Sequence, residues 1–517
     1  MSHEPRTSLP DPAPEPTPVA GAPEAAASGS FRAAFGSVKI LRTEVLAGLV
    51  VGLALIPEAI AFSIIAGVDP RVGLFAAFTM AVTISFVGGR PAMISAATGA
   101  VALVIAPVVR EHGLDYLVAT VILGGVIQVV LGLLGVARLM RFIPRSVMVG
   151  FVNALAILIF ASQLPHLQHV PFAVYPMVLA GIAIMVFFPR LTRVVPAPLV
   201  AIVLLTLVTV VAAIAVPTVG DEGALPESLP TLFFPDVPLN LETLTIIAPY
   251  ALGMALVGLI ESLLTAKLVD DITDTHSNKT RESWGQGVAN VVTGFFGGMG
   301  GCAMIGQTMI NVKVSGARTR LSTFLAGVFL LVLVVGLGDV VAVIPMAALV
   351  AVMVMVSVGT FDWHSIRPST LRRMPRSETA VMLATVVVTV ATHNLAIGVA
   401  VGVVVAAVLF LQRVSHLTTV TRLDADDADD ERVYAVDGEL FFASSNDLVY
   451  QFDYTADPHR VVIDMSTAHV WDASTVAALD AVQHKYAQHG TSVEFRGLDA
   501  DSAARLERLA GRLGAGH

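Results

Sequence analysis

The chain has 517 residues, of which 55% are hydrophobic and 14% are charged, and it carries repeated apolar runs of membrane-spanning length. This composition indicates a polytopic α-helical membrane protein, and no nucleic-acid partner is implied by the formal net charge of -9. The single cysteine, Cys302, excludes an intramolecular disulfide and a multi-cysteine metal site. Because HExxH, GxSxG and Gly-Lys P-loop signatures are absent from the sequence, we expect neither an enzyme nor an ATP-driven pump, and no cofactor.

The chain opens with residues 1–38, which we predict to be a disordered N-terminal tail because they are rich in Pro, Ala and Glu. Residues 39–415 form the predicted transmembrane domain. Its fourteen candidate spans lie near 45–67, 73–88, 94–109, 114–136, 146–164, 175–189, 197–216, 245–266, 284–297, 302–314, 321–336, 345–359, 378–392 and 395–413. Several are shorter than the roughly 20 residues that a full crossing needs.

The charges of the connecting loops indicate the orientation. Clusters of Lys and Arg fall in the even-numbered connections and the terminal flanks, whereas the odd-numbered connections carry only Arg71 and Arg110. The long connection after span 7 is acidic. By the positive-inside rule both termini are predicted to be cytoplasmic, which requires an even number of spans in a bacterial inner membrane.

The two halves of this domain resemble each other. Spans 1 and 8 are apolar runs that each contain one charged residue, Glu58 in span 1 and Glu261 in span 8. A glycine pair, Gly88-Gly89 or Gly297-Gly298, then precedes a short span, which is span 3 in one half and span 10 in the other. Seven spans per repeat is an odd number, so we predict 7+7 inverted repeats, which are typical of transporters with a binding site at the membrane midplane.

The short segments that begin at Ser95 and Cys302 are rich in small residues and follow a Gly or Pro break. If they are half-helices with facing N-termini, their unpaired amides and dipoles favour an anion without a lysine or arginine. Thr98 and Gln307 could add side-chain donors. The alternative is that the small residues only allow close helix packing.

Glu58 and Glu261 are the candidate ion-coupling groups. An intramembrane carboxylate can bind a proton, or can help to coordinate sodium together with a neighbour such as Thr265. The alternative is a neutral glutamic acid with a structural hydrogen bond. Pro57 favours local unwinding beside Glu58, and Phe62, on the same helical face, is a candidate wall of the site or a packing residue.

After Arg413 the composition changes to that of a soluble domain. Residues 416–431 are predicted to be an acidic linker, and residues 432–517 a small cytoplasmic α/β domain without a catalytic constellation. Asp472 is a candidate N-cap of its first helix. The predicted strands and helices are, in order, Tyr434–Ala443, Arg460–Met465, Ala473–His489, Ser492–Arg496 and Asp501–Arg512.

Three quoted segments carry a family resemblance. LIPEAIAFSIIAGVDPRVGLFAAF and GLIESLLTAKLVDDITDTHSNKTRESWGQGVANVVTGFFGGMGG, with the SGARTRLS that follows, resemble signatures of the sulfate permease (SulP) family, which includes prestin. VVIDMSTAHVWDASTVAALDAV resembles a STAS domain, similar to anti-sigma-factor antagonists. The resemblance covers nearly everything from Val45 to the C-terminus.

The resemblance implies a core domain of spans 1–4 and 8–11, a gate domain of the other spans, elevator-like movement of the core, and a homodimer. It implies that a small anion binds between spans 3 and 10. Carried over by motif, the substrate-binding residues are Phe62, Ala97, Thr98, Gly99, Cys302, Ala303, Met304, Ile305, Gly306 and Gln307. No metal site is implied other than a possible sodium near Glu261 and Thr265.

The chain departs from the family pattern at two places. Many members carry an arginine early in span 10, where this chain has Gln307-Thr308, so the anion stays open among an inorganic oxyanion such as sulfate, bicarbonate and a small dicarboxylate. The phosphorylatable motif of related STAS domains differs here at Ala473 and Thr475, which flank Ser474. We expect a proton- or sodium-coupled anion symporter; the alternatives are an uncoupled anion channel or exchanger, and a STAS-based sensor.

Overall fold

The computed structural model describes residues 30–138, 143–191, 197–238, 240–415, 418–423, 431–445 and 448–510. Residues 1–29 of the predicted tail and residues 424–430 of the predicted linker lie outside these described ranges. The chain divides into two compact units, Met1–Met374 with Met382–Val401, and Pro375–Val381 with Gly402–His517.

The membrane region is helical. Its helices are α1 (Val38–Ala66), α2 (Pro70–Val87), α3 (Gly99–His112), α4 (Leu114–Leu133), α5 (Arg145–Gln163), α6 (Val174–Phe187), α7 (Ala197–Val211), α8 (Leu241–Thr273), α9 (Lys279–Phe295), α10 (Ile305–Met309), α11 (Arg320–Gly336), α12 (Met346–Thr360), α13 (Arg376–Thr392) and α14 (Leu395–Ser415). Shorter helices lie at Phe31–Ala34, Gly338–Ala342 and Pro368–Arg373. Among the described residues, six helices are long and apolar enough to cross a membrane by length and composition, namely α1, α2, α4, α5, α8 and α14.

The predicted short spans 3 and 10 are each a strand followed by a helix. Strand β1 (Ser95–Ala96) precedes α3, and strand β2 (Cys302–Ala303) precedes α10, which continues as a π-helix over Ile310–Val314. The two strands pair antiparallel, with Ser95 opposite Ala303 and Ala96 opposite Cys302. This pairing brings the starts of α3 and α10 together, and it satisfies backbone groups that a break would otherwise leave without partners.

The predicted unwinding at Pro57 is wrong, because α1 continues as a helix from Val38 to Ala66 with Pro57 inside it. A proline removes only one intrahelical hydrogen bond. Helix α1 packs against α11 at Gly48 and Gly52, before the proline, and against α2 at Ala59 and Ser63, after it.

The helices of the first unit pack in two sets. The first helix group contains α1 to α4 and α8 to α11, with α9 against α4 and α2, and α11 against α1 and α2. The second helix group contains α5, α6, α7 and α12, with α12 against both α5 and α6. Sequence-distant helices therefore pack closely within the first helix group.

The second unit contains a four-stranded sheet in the order β3-β4-β5-β6, formed by Thr419–Leu423, Glu431–Leu440, Arg460–Val470 and Ser492–Arg496. The β3–β4 pair is antiparallel, and β4–β5 and β5–β6 are parallel. Helices α15 (Ala473–Gln488) and α16 (Ala500–Leu509) follow β5 and β6. Strand β3, which lies in the segment assigned to the linker, was not predicted as a strand.

Helix α15 begins where the sequence predicts it to begin, because the Asp472 carboxylate accepts a hydrogen bond from the Thr475 amide at 3.0 Å. Inside the same unit, the phenol groups of Tyr486 and Tyr434 donate to Asp457 at 2.6 and 2.8 Å. Burial and the Asp457 carboxylate raise the pKa of Tyr486 well above its usual range, so this phenol keeps its proton and stays a donor.

Candidate functional site

A cavity of about 440 Å³ lies between the two helix groups. The first helix group contributes Glu58, Phe62, Thr98, Gly99, Ala100, Glu261, Leu264, Met304, Ile305 and Gly306. The second helix group contributes Phe151, Val152, Leu155, Ile159, Val356, Gly359 and Thr360. None of these lining residues is a lysine, arginine or histidine, so a ligand in the cavity meets apolar walls, two carboxyl groups and the starts of two helices.

Helix α3 presents its N-terminus to the cavity. Thr98 is its N-cap, and the Thr98 hydroxyl accepts a hydrogen bond from the Val101 amide at 3.4 Å. The next two residues, Gly99 and Ala100, line the cavity. The first amides of a helix lack intrahelical partners and carry a partial positive charge, so this end of the cavity favours a negatively charged ligand.

The start of α10 lies at the same cavity. Met304 is its N-cap, and Met304, Ile305 and Gly306 are lining residues. The β1–β2 pair fixes this approach, because Ala96 of β1 lies opposite Cys302 of β2. Two chain segments that are about 200 residues apart thus lie at one cavity.

Glu58 of α1 is connected to α10. The Gln307 side-chain amide donates to the Glu58 carboxyl oxygen Oε1 over 2.8 Å. The other side-chain atom of Gln307, Oε1, is buried and has no hydrogen-bond partner among the described residues. Glu58 itself lines the cavity, so its carboxyl group faces both α10 and any ligand.

Glu261 of α8 is connected to the start of α3 through the single cysteine. The Cys302 thiol donates to Glu261 Oε2 at 2.9 Å, and the Thr98 hydroxyl lies 3.1 Å from the Cys302 sulfur. Cys302 is fully buried, and Glu261 is 8% exposed at the cavity wall. The three side chains form one hydrogen-bonded chain from a carboxyl group to the N-cap of α3.

The hydroxyl groups near Glu261 are engaged with the backbone. Thr265 donates to the Glu261 carbonyl oxygen at 2.8 Å, and Ser262 accepts from the Ala303 amide at 3.1 Å. Thr265 is not among the residues that line the cavity. Among the described residues there is also no cluster of three or more His, Cys, Asp or Glu that could hold a metal ion.

A shell of polar side chains that was not predicted from the sequence holds β2 in place. Asn290 of α9 accepts from the Gly301 amide at 2.8 Å and donates to the Gly301 carbonyl at 3.0 Å and to Gln128 at 2.8 Å. Gln286, one helical turn earlier, donates to Ser95 of β1 at 2.7 Å. Amide side chains four residues apart inside a predicted span were a signal for this shell, because buried polar groups need partners.

Charged residues gather at one end of the first helix group. Arg90 pairs with Asp270 at 2.9 Å, and Asp270 also binds the Lys279 ammonium at 2.7 Å. Arg320 donates to the carbonyl oxygens of Ser85 and Gly88 at the end of α2. The connections that follow spans 2, 8 and 10 therefore share one end of the helix group.

The predicted site residues fall into two sets. Those that line the cavity are Glu58, Phe62, Thr98, Gly99, Glu261, Met304, Ile305 and Gly306. Those that lie behind its wall are Ala97, Thr265, Cys302, Ala303 and Gln307. The contribution of the second helix group was not predicted, because residues such as Phe151 and Ile159 resemble ordinary packing residues in an apolar span.

Comparison with known protein families matches two models to the chain. The sulfate permease family model matches residues 41–176 and 166–385, and the STAS domain model matches residues 422–510. The protein YbaR of Bacillus subtilis, named as a candidate sulfate transporter, is 53% identical over 478 residues, which is 92% of this chain and 98% of YbaR. The bicarbonate transporter BicA of Picosynechococcus is 26% identical over 522 residues and covers 91% of each chain.

Solved structures show the same fold. The murine anion transporter Slc26a9 in the inward-facing state aligns with a TM-score of 0.80 over 99% of this chain and 97% of its own, at 16% identity. The transmembrane domain of a cyanobacterial BicA aligns with a TM-score of 0.62 over 70% of this chain and 97% of its own, at 27% identity.

Proposed function

We propose a transport mechanism for this chain, which belongs to the sulfate permease family and carries a C-terminal STAS domain. It is a multi-pass membrane protein and an anion transporter, not an enzyme. We propose secondary active symport of a small anion with a proton or sodium ion. The relatives named for sulfate and bicarbonate support an inorganic oxyanion or bicarbonate as substrate, with a small dicarboxylate as the third candidate.

The observation that carries this proposal is the cavity of about 440 Å³, which the N-termini of α3 and α10 reach and whose described lining residues include no basic side chain. An anion there is stabilised by backbone amides, helix dipoles and the Thr98 hydroxyl. We propose Phe62, Thr98, Gly99 and the segment from Met304 to Gly306 as the residues that contact the anion, with Ala97, Cys302, Ala303 and Gln307 positioning them from behind the cavity wall. Because this chain has no arginine at Gln307-Thr308 to balance the charge of the anion, we propose that the coupling ion offsets that charge.

The coupling groups in this proposal are Glu58 and Glu261, both of which line the cavity. An ionised carboxylate beside the site repels an anion, so binding of a proton removes the repulsion and links the two ions. We favour the proton over sodium, because Thr265, the hydroxyl that would share sodium with Glu261, does not line the cavity, and the Cys302 thiol donates to the Glu261 carboxyl oxygen Oε2.

The proposed movement is elevator-like. The first helix group is the moving core, and the second helix group, extended by α13 and α14, is the gate. The cavity supports this division, because its two walls come from the two groups. We further propose fourteen spans as 7+7 inverted repeats, with support from the paired breaks at β1 and β2.

We propose that both termini are cytoplasmic, that the protein lies in the bacterial plasma (inner) membrane, and that it forms a homodimer. The ion pairs of Arg90 and Lys279 with Asp270 support a shared cytoplasmic side for the basic connections. The proposed domains are a tail that ends before the helix Phe31–Ala34, a transport domain up to residue 415, and a cytoplasmic STAS domain that includes β3 and β4, so the predicted bounds of the tail (1–38) and of the linker (416–431) are too wide.

The direct test is uptake of radiolabelled sulfate, bicarbonate and fumarate into proteoliposomes that contain the full chain. We expect at least one of these anions to accumulate under an inward proton gradient, and we expect a sodium gradient alone to drive less accumulation. If anion flux followed only the anion gradient and did not depend on the pH or sodium gradients, the protein would instead be an uncoupled channel or exchanger. Absence of flux for the whole panel under both gradients contradicts coupled symport.

Replacing Glu58 by glutamine is expected to reduce gradient-driven accumulation about 10-fold while anion exchange persists. The substituted amide carries no charge, but its carbonyl can still accept the hydrogen bond that Gln307 now donates at 2.8 Å. Glu242→Gln is the matched control, because Glu242 is an exposed residue in the first turn of α8. If the Glu58→Gln and Glu242→Gln variants accumulated the anion equally, Glu58 would have only a structural role.

A further inference from the structure

The hydrogen-bonded chain from Glu261 to Thr98 has a direction. The thiol donates to Glu261 Oε2 at 2.9 Å, which leaves the sulfur as an acceptor for the Thr98 hydroxyl at 3.1 Å. The Thr98 oxygen in turn accepts from the Val101 amide at 3.4 Å. With an ionised Glu261, the hydroxyl proton of Thr98 therefore points at sulfur and is not available to a ligand in the cavity.

A proton on Glu261 Oε2 reverses this direction. The carboxyl O–H then donates to the Cys302 sulfur, and the thiol S–H turns to donate to the Thr98 oxygen. That oxygen now accepts from both the thiol and the Val101 amide, so the hydroxyl proton must find another acceptor. Because Thr98 lines the cavity, an anion bound there can accept a hydrogen bond from the Thr98 hydroxyl.

We propose that the Cys302 thiol is a relay that transmits the protonation state of Glu261 to the Thr98 hydroxyl, so that Thr98 donates to a bound anion only when Glu261 carries a proton. No bond to sulfur is made or broken, and the proton that enters stays on Glu261. The relay rests on the proposed symport and makes Cys302 a positioning residue for it.

Few other titratable groups lie near Glu261. Its titratable neighbours are Cys302 of β2 and, on the same cavity, Glu58 of α1. The polar side chains that α4 and α9 place beside β2 are the neutral Gln128 and Asn290, which are hydrogen-bonded to each other. On α10, the Gln307 side chain is bound to Glu58 and Thr308 is bound to Ile94.

The backbone at Cys302 is held independently of its side chain. Cys302 pairs with Ala96 across the β1–β2 ladder, and the adjacent Gly301 is fixed by Asn290. Removal of the sulfur is therefore expected to leave the ladder intact. Cys302→Ala deletes the relay, whereas Cys302→Ser restores both a donor and an acceptor at the same carbon.

The first experiment follows the S–H stretching band by infrared spectroscopy in the reconstituted full chain as pH is varied. Because Cys302 is the only cysteine, the band belongs to this thiol alone. We expect the band to shift with pH in the wild type, as its acceptor changes from carboxylate to hydroxyl, and to stay fixed in the Glu261→Gln variant. A pH-independent band in the wild type overturns the relay, even if the protein transports anions.

The second experiment measures uptake of sulfate, bicarbonate and fumarate by the same variants. We expect Cys302→Ala to keep anion exchange, to lose about 10-fold in proton-driven accumulation and to flatten the pH dependence of the anion KM, and Cys302→Ser to retain both properties. The relay is overturned if Cys302→Ala shows wild-type proton-driven accumulation. It is also overturned if Cys302→Ser loses as much of this accumulation as Cys302→Ala. A pH-shifted band without flux of any anion supports the relay and overturns the proposed transport.

Discussion

Replacing Glu261 by glutamine is expected to abolish proton-driven anion accumulation, with a loss on the order of 100-fold, while anion exchange across the membrane persists. The amide cannot ionise, so it removes the step that binds and releases the proton. Its oxygen can still accept from the Cys302 thiol, which now donates to Glu261 at 2.9 Å, so the local geometry is retained. The effect should exceed that of Glu58→Gln, because Glu261 is the carboxyl group connected to the N-cap of α3.

The measurement is anion accumulation and pyranine-detected proton entry in proteoliposomes, set against anion exchange in the same preparation. Glu261→Asp is the control that keeps an ionisable carboxyl group, and it should retain a pH-dependent accumulation. If Glu261→Gln accumulated anion with the wild-type pH profile, the coupling role of this residue would be refuted.

A single methyl group at Gly301 is expected to disrupt the site. A Cβ added there would lie 1.9 Å from the Ala96 carbonyl oxygen and 2.6 Å from its carbon. These atoms are backbone, so they cannot turn aside as a side chain would, and overpacking of this kind costs about 1–3 kcal/mol or more. We expect Gly301→Ala to separate β1 from β2, to lower the melting temperature and to reduce anion exchange at least about 10-fold, since the starts of α3 and α10 would no longer meet.

Gly336→Ala is the matched control, because a Cβ at Gly336 at the end of α11 meets no atom within 4 Å. Thermal unfolding of the purified full chain in detergent, followed by size-exclusion chromatography, compares the two variants with the wild type. A Gly301→Ala protein with normal melting and normal exchange would show that the β1–β2 contact does not organise the cavity.

Much of the fold follows from local sequence. Apolar runs of spanning length determine helices such as α1 and α8, and a lone carboxylate in each, Glu58 and Glu261, stands out because charge is costly in hydrocarbon. The glycine pairs before Ser95 and Cys302 locate the breaks. In the second unit, residues such as Asp472 mark a helix start by local capping chemistry.

Periodicity, charge and glycine act over a few neighbouring residues, so they predict the polytopic helical class, the paired breaks, the acidic residue in each half and the α/β domain that follows. The contact of Gln307 with Glu58, the link from Glu261 through Cys302 to Thr98, and the closure of the cavity by α5 and α12 emerge only from the packed helices. These contacts join residues up to 249 positions apart. A side chain gives no local signal of a partner that lies so far along the chain, so only the packing of the helices brings these groups within reach of one another.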